Sequence, residues 1–295
     1  MKTEVVRNWL LASRPWSFVM SIISVSVGAG LAARDGQFHW LLYAVTLTGM
    51  VLMHAATNLM NDYYDVASGV DREGVATANY RPHPLLEGHL KPVHVLAVAW
   101  LLYAAAGGLG LWLAAARGWS LLALAAVGLG ASLTYTAPPL KYKHHGLGEL
   151  SVFLMWGPLM VEGAYFVQRR AFSLEALWVS LPFGLLVALV LLANNLRDAT
   201  HDQARGVVTL PILLGQHNGM RLYVAFVALA YASILGMAVF GPLDYWALTV
   251  LLTLPMALRL IRQVRTAIPP DADARTARLD TVFGIDNTTF FDTIS

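Results

Sequence analysis

The sequence predicts an all-α, polytopic membrane helix bundle. Three observations point there. Of 295 residues, 57% are apolar and only 13% are charged, about half the charged share of an ordinary soluble domain. Mean hydropathy is +0.57, and the apolar residues gather in runs long enough to cross a hydrocarbon core of about 30 Å. All but four of the 20 Lys and Arg residues fall in alternate segments between those runs, the asymmetry expected when basic residues stay cytoplasmic. This composition argues against a soluble enzyme, a nucleic-acid-binding protein and a disordered chain. A net charge of +2 points to no electrostatic partner, and no obligatory protein partner is evident. With no Cys, disulfides, thiolate metal sites and a Cys nucleophile are ruled out.

Eight spans are expected, at about 16–33, 40–61, 93–116, 119–138, 149–168, 176–196, 221–240 and 244–262. The first has Lys2, Arg7 and Arg14 before it and small residues from Gly28 to Ala33 at its end, as a signal peptide would. Seven more spans follow, so a retained helix is the expectation. The four basic exceptions, Arg34, Arg117, Arg169 and Arg170, mark the outer side. Both termini and the long polar loops Asp62–Pro92, Pro138–Gly148 and Arg197–Met220 are then cytoplasmic. Residues 1–263 form the membrane domain. Residues 264–295 read as a polar tail, with Pro269 and Pro270 as a break.

Two acidic clusters stand at inner helix ends. Asn58, Asn61, Asp62 and Asp65, at the end of span 2, are spaced three and four apart and share one helix face. Asp71 follows Gly69, where the chain can turn back. At the end of span 6, Asn194 and Asn195 precede Asp198 and Asp202. Like charges at that i, i+4 spacing repel, and a divalent cation is the obvious offset. Acids near membrane depth are costly and mark function by default. Oxygen-only donors favour Mg²⁺ or Ca²⁺, and Mg²⁺ commonly bridges carboxylates to phosphates. The pair of clusters therefore suggests one or two Mg²⁺ ions holding a diphosphate. Arg14, Arg81, Lys141, Lys143 and Arg197 lie on the same side and could meet such an anion. His54 reads as a hydrogen-bonded packing residue, and His144 and His145 as loop surface. Glu162, toward the outer side, has no evident role.

Taken together, these residues resemble the UbiA-type family of membrane prenyltransferases. The likeness runs from Arg14 and Pro15 to about Gly215. It is carried by Asn61-Asp62-Tyr63-Tyr64-Asp65, Arg81-Pro82-His83-Pro84-Leu85, Tyr135-Thr136-Ala137-Pro138-Pro139 and Gly146-Leu147-Gly148-Glu149. It continues through Asn194-Asn195-Leu196-Arg197-Asp198, Asp202 and Thr209-Leu210. Within the family the chain looks most like the branch acting on 1,4-dihydroxy-2-naphthoate in menaquinone synthesis. The 4-hydroxybenzoate branch usually has its third Asp where this chain has Gly69, and here the acid is Asp71.

The resemblance implies a helix bundle around a central cavity, in a multi-pass plasma-membrane enzyme. It implies Mg²⁺-dependent transfer of a polyprenyl group from its diphosphate to an aromatic acceptor within the lipid bilayer. The implied catalytic residues are Asn61, Asp65, Asn195 and Asp198. Asn58, Arg14, Arg81, Lys141, Tyr142, Asn194 and Arg197 would bind substrate. Asp62, Asp65, Asp71, Asp198 and Asp202 would hold metal, and Tyr64, Tyr135, Tyr142 or Trp156 could face a carbocation. Two departures stand out: Val207 where the family often has Lys, and a polar 264–295 where a ninth span is common. The main alternative is an ion-coupled transporter, which places acids near the bilayer midplane beside broken helices; here they sit at helix ends.

Overall fold

A computed structural model describes residues 2–71 and 82–288. Helix α1 (Lys2–Ser13) ends at Arg14, whose left-handed backbone (φ 56°) turns the chain through Pro15–Ser17 into α2 (Phe18–Arg34). Then come α3 (Trp40–Ala67), α4 (Pro92–Arg117), α5 (Ser120–Thr136) and α6 (Gly148–Leu154). A π turn, Met155–Leu159, joins α6 to α7 (Met160–Arg169). It contains Pro158, and a widened turn accommodates a residue that lacks an N–H and crowds the preceding carbonyl. The chain continues through α8 (Leu174–Gln203), α9 (Leu210–Leu214) and α10 (Gln216–Phe240). A 3-10 segment, Tyr245–Thr253, runs into α11 (Leu254–Thr266), and α12 spans Ala272–Thr288.

Among the described residues, seven continuous helical segments are long and apolar enough to cross a membrane: Pro15–Arg34, Trp40–Ala67, Pro92–Arg117, Gly148–Arg169, Leu174–Gln203, Gln216–Phe240 and Tyr245–Thr266. The expected span 119–138 is α5, a shorter apolar helix. The protein is thus an all-α, multi-span membrane protein. α3 and α8 outrun their apolar stretches, to Ala67 and Gln203 rather than 61 and 196. The polar residues that follow keep helical spacing, so the acids ride on rigid helix rather than in loops.

Two packed layers enclose the interior. In one, α2, α8, α10, α11 and α12 bury Ile23, Val27, Phe183, Leu189, Tyr223, Leu279 and Phe283 together. Backbones approach very closely there. A Cβ on Gly28 would lie 2.2 Å from the Val161 carbonyl oxygen, and one on Gly184 would lie 2.6 Å from that of Phe153. In the other layer, α3 and α4 meet through Leu59, Met60, Val95, Ala99 and Tyr103.

The segment expected as a polar tail is built into the first layer. α12 packs on α8, α2 and the 3-10 segment. Ala272, Thr276, Leu279 and Phe283 are buried along one stripe, and the Thr276 hydroxyl lies 2.9 Å from the Tyr223 hydroxyl. Glu162 also finds a place: its carboxylate accepts from the Ser173 N–H at 3.2 Å, just where α8 begins.

Candidate active site

A cavity of 1060 Å³ lies between the two layers, and both acidic clusters open onto it. Asn58, Asn61 and Asp65 reach it from α3, and Asn194, Asn195, Asp198 and Asp202 from α8. Arg14, Asp71 and the turn residues Tyr142, Lys143 and His144 complete this polar part. The charge field at Asp202 includes Asp198 on its own helix and Lys143, Asp65 and Asp71 from across the cavity. The clusters therefore meet in space, from opposite halves of the chain.

The first cluster is folded tightly. Gly69 takes φ 72°, a left-handed conformation that glycine adopts without penalty. That turn brings the Val70 and Asp71 N–H groups back to the Asp65 carbonyl, at 2.9 and 3.1 Å. Asn61 donates to the Asp65 carboxylate at 2.9 Å. Lys143 Nζ donates to both Asp65 oxygens and to Asn61 Oδ1, each at 2.7 Å. Arg14 pairs with Asp62. Burial opposes the Arg14 charge, yet Asp62, Asp71 and Asp65 outweigh it and raise its pKa. Burial likewise opposes ionisation of Asp71. The nearby His83 ring and the Lys143 and Arg14 charges prevail and hold that carboxyl below its usual range.

The second cluster is organised by contacts within α8 and to neighbouring segments. Arg197 donates to both oxygens of its neighbour Asp198, at 2.8 and 2.7 Å. Asn195 donates to Glu149 Oε1 at 2.9 Å. Glu149 is 1% exposed, and its second oxygen has no hydrogen-bond partner among the described residues.

Several expected residues sit elsewhere. Asp62, Lys141 and Arg197 do not line the cavity. Asp62 is turned to Arg14. Arg197 is spent on Asn194, Asp198, Pro270 and Asp273. Lys141 adopts φ 43° and heads the 3-10 turn Tyr142–His144, which delivers Lys143 to Asp65 instead. Tyr64 packs against Tyr63, ring centroids 5.1 Å apart, in the α3–α4 layer. Tyr135, Tyr142 and Trp156 do line the cavity. Arg81 lies outside the described residues. His144 is no plain surface residue: it faces the cavity, and burial with Lys143, Lys141 and His145 pushes its pKa down to about 4. His54 hydrogen-bonds Ser17 and Ser21, at 3.2 and 2.8 Å, on the cavity wall. Val207, at the family's Lys position, is buried against the same cavity.

The donor set fits a divalent cation. Carboxylate and amide oxygens predominate, as hard ions require. One oxygen each from Asp62 and Asp71 and a ring nitrogen of His83 lie within 4.8 Å of one another. His83 Nε2 is 3.4 Å from Asp71 and 3.9 Å from Asp62. It is buried between these two carboxylates, at ion-pair rather than hydrogen-bond geometry, so the three groups converge as metal donors would. Sequence reasoning passed over His83 and Glu149 as site residues. Both stand inside recognised motifs, His83 between Pro82 and Pro84 and Glu149 at the start of a span.

Beyond the acids the cavity turns apolar. It runs between α3, α4, α5 and α7, past Gly107, Gly110 and Gly128, to Leu113, Leu121 and Val167. The last three belong to a cluster near the Arg117 end of α4, so the slot runs most of the length of the helices. The arrangement suits an elongated molecule with an anionic head and a hydrocarbon tail.

Comparison with known proteins agrees with this geometry. The model of the UbiA prenyltransferase family matches residues 21–283. UbiA prenyltransferase domain-containing protein 1 of Dictyostelium discoideum is 31% identical over 283 residues, covering 93% of this chain and 84% of that protein. The 1,4-dihydroxy-2-naphthoate octaprenyltransferase of Bacillus subtilis is 30% identical over 281 residues, covering 94% and 89%. The structure of a UbiA homologue from Archaeoglobus fulgidus bound to GPP and Mg²⁺ superposes with a TM-score of 0.68 at 13% identity, covering 96% of this chain and 99% of that one. The acidic helix ends, the shared cavity and the extent of these matches together place the chain in the UbiA prenyltransferase family, as a membrane prenyltransferase.

Proposed function

We propose that this enzyme transfers a polyprenyl group from polyprenyl diphosphate to 1,4-dihydroxy-2-naphthoate, with Mg²⁺, at the cytoplasmic face of the cell membrane. One observation carries the reading: two acidic clusters from opposite halves of the chain share a cavity that continues as an apolar slot. The naphthoate octaprenyltransferase of Bacillus subtilis supports the acceptor. The homologue bound to GPP and Mg²⁺ supports the donor and the metal.

In this reading Asp62, Asp65, Asp71, Asp198 and Asp202 would hold Mg²⁺, with His83, Asn61 and Asn195 beside them. When bound, the metal neutralises charge that develops on the departing diphosphate. Arg14 and Lys143 add fixed positive charge to the same place, and Asn58 and Asn194 offer amide donors. The allylic C–O bond breaks and its electron pair leaves with the diphosphate. The rings of Tyr135, Tyr142 and Trp156 face the resulting allylic cation, a contact worth about 0.5–2 kcal/mol per ring. The slot holds the tail and keeps water from the cation. A ring carbon of the acceptor then attacks, and its carboxylate leaves as CO₂, returning the electron pair to the ring.

The test is purified protein with Mg²⁺, a polyprenyl diphosphate and a panel of acceptors. Product with the naphthoate alone is expected; product with 4-hydroxybenzoate alone would overturn the acceptor. Asp65→Ala and Asp198→Ala should each lower kcat/KM by roughly a hundredfold or more. Full turnover in either would contradict the metal assignment. Because the chain has no Cys, a Glu87→Cys variant reports sidedness directly. It should react with impermeant thiol reagents only from the cytoplasmic side.

A further inference from the structure

The second acidic cluster is held from beyond its own helix. Arg197, 5% exposed, donates through Nε and Nη2 to the two Asp198 oxygens and through Nη2 to Asn194 Oδ1 at 2.7 Å. Its Nη1 reaches Pro270 O at 3.0 Å and Asp273 Oδ1 at 2.8 Å. Asp273 lies in the first turn of α12. Asp273, Ala274 and Ala277 line the same cavity as Asp198 and Asp202.

The charges decide what this contact does. A bidentate pair of Arg197 and Asp198 alone sums to zero, and a neutral pair attracts a cation weakly. Asp273 accepts from the same guanidinium, so the Arg197 charge is divided between two carboxylates. It also anchors the far side of the Arg197 fork, whose near side donates to both Asp198 oxygens. Such contacts weigh more in a partly buried, low-dielectric site.

We propose that Asp273 is a positioning residue for the reaction: by holding the far side of the Arg197 guanidinium it fixes the orientation in which Asp198 faces the cavity, and so tunes the affinity for the divalent cation and diphosphate. The inference rests on the reading of Asp198 as a metal ligand. It makes the helix after the last apolar run part of the catalytic apparatus.

The experiment uses the full-length protein in detergent, with two readouts. One is the Mg²⁺ concentration giving half-maximal turnover at saturating donor. The other is the rise in melting temperature on adding MgCl₂ with inorganic pyrophosphate. Asp273→Asn should raise the half-saturating Mg²⁺ roughly tenfold and shrink the thermal response, and Asp273→Glu should restore both to within about twofold. If Asp273→Asn does not fold, Asp273→Ser, a good helix-start residue, replaces it. In an Arg197→Lys background, Asp273→Asn should add little. A wild-type Mg²⁺ response in Asp273→Asn, or a fully additive effect in that background, overturns the inference. Asp198→Asn is the control. If it loses the response while Asp273→Asn keeps it, the inference alone fails. If Asp198→Asn itself responds normally, the metal assignment fails and the inference falls with it.

Discussion

The two helices that carry the acids are held in different ways. Of the most apolar 18-residue stretch of each, 67% is buried in α8 but only 28% in α3. α8 touches α6 backbone to backbone through Gly184, and its acid Asp198 pairs with the adjacent Arg197. α3 lies against α4, itself only 22% buried by the same measure. Its acids Asp62 and Asp65 depend on groups distant in sequence, Arg14 and Lys143, and Asp71 in the turn beyond it lies beside His83. Packing fixes the helix of one wall more firmly, while the other relies more on ion pairs from across the chain. The cavity lies at their boundary, with room for a substrate on the loosely packed side and a fixed reference on the other.

Four substitutions probe that contrast, from the largest expected effect to the smallest. Lys143→Met removes one partner of a buried pair, 2.7 Å apart. It should destabilise the metal-free protein by roughly 3 kcal/mol, and added Mg²⁺ should recover part of that loss in a thermal melt. An effect under half a kcal/mol would show that packing, not the ion pair, holds α3. Gly184→Ala places a Cβ 2.6 Å from the Phe153 carbonyl oxygen and should cost about 1–3 kcal/mol by overpacking, read as a lower unfolding midpoint. On the opposite wall, a Cβ at Gly110 meets nothing within 4 Å. Gly110→Leu should fold normally and lower turnover several-fold with long-tailed donors while sparing short ones; equal losses for all donors would remove the slot from tail binding. Gly107→Ala, also in open space, should stabilise α4 by roughly half a kcal/mol through backbone entropy alone.

Much of this was legible in the sequence, for physical reasons. A helix crossing lipid needs a long apolar run, so each expected span corresponds to a helical segment, seven of them long and apolar enough to cross a membrane and one, α5, shorter. Helical spacing put Asn58, Asn61, Asp62 and Asp65 on one face before any coordinates. What escaped depended on side-chain direction or on unusual burial. Lys141 and Lys143 are two positions apart, and only the left-handed backbone at Lys141 decides which reaches Asp65. Arg197 looked like an anion contact because it stands beside the acids; its geometry instead ties Asn194 and Asp198 to Pro270 and Asp273. α12 was invisible to hydropathy because its buried stripe uses Ala272 and Thr276 beside Leu279 and Phe283, interrupted by charges. Among those charges, Asp280 is 2% exposed with one oxygen lacking a partner among the described residues.

The placement of that last helix bears on how the enzyme is handled in the laboratory. A worker trimming the gene to its hydropathy plot would stop near residue 263 and obtain a tidy, more oily product. That product would lack one side of the reaction chamber, and its inactivity would be blamed on detergent.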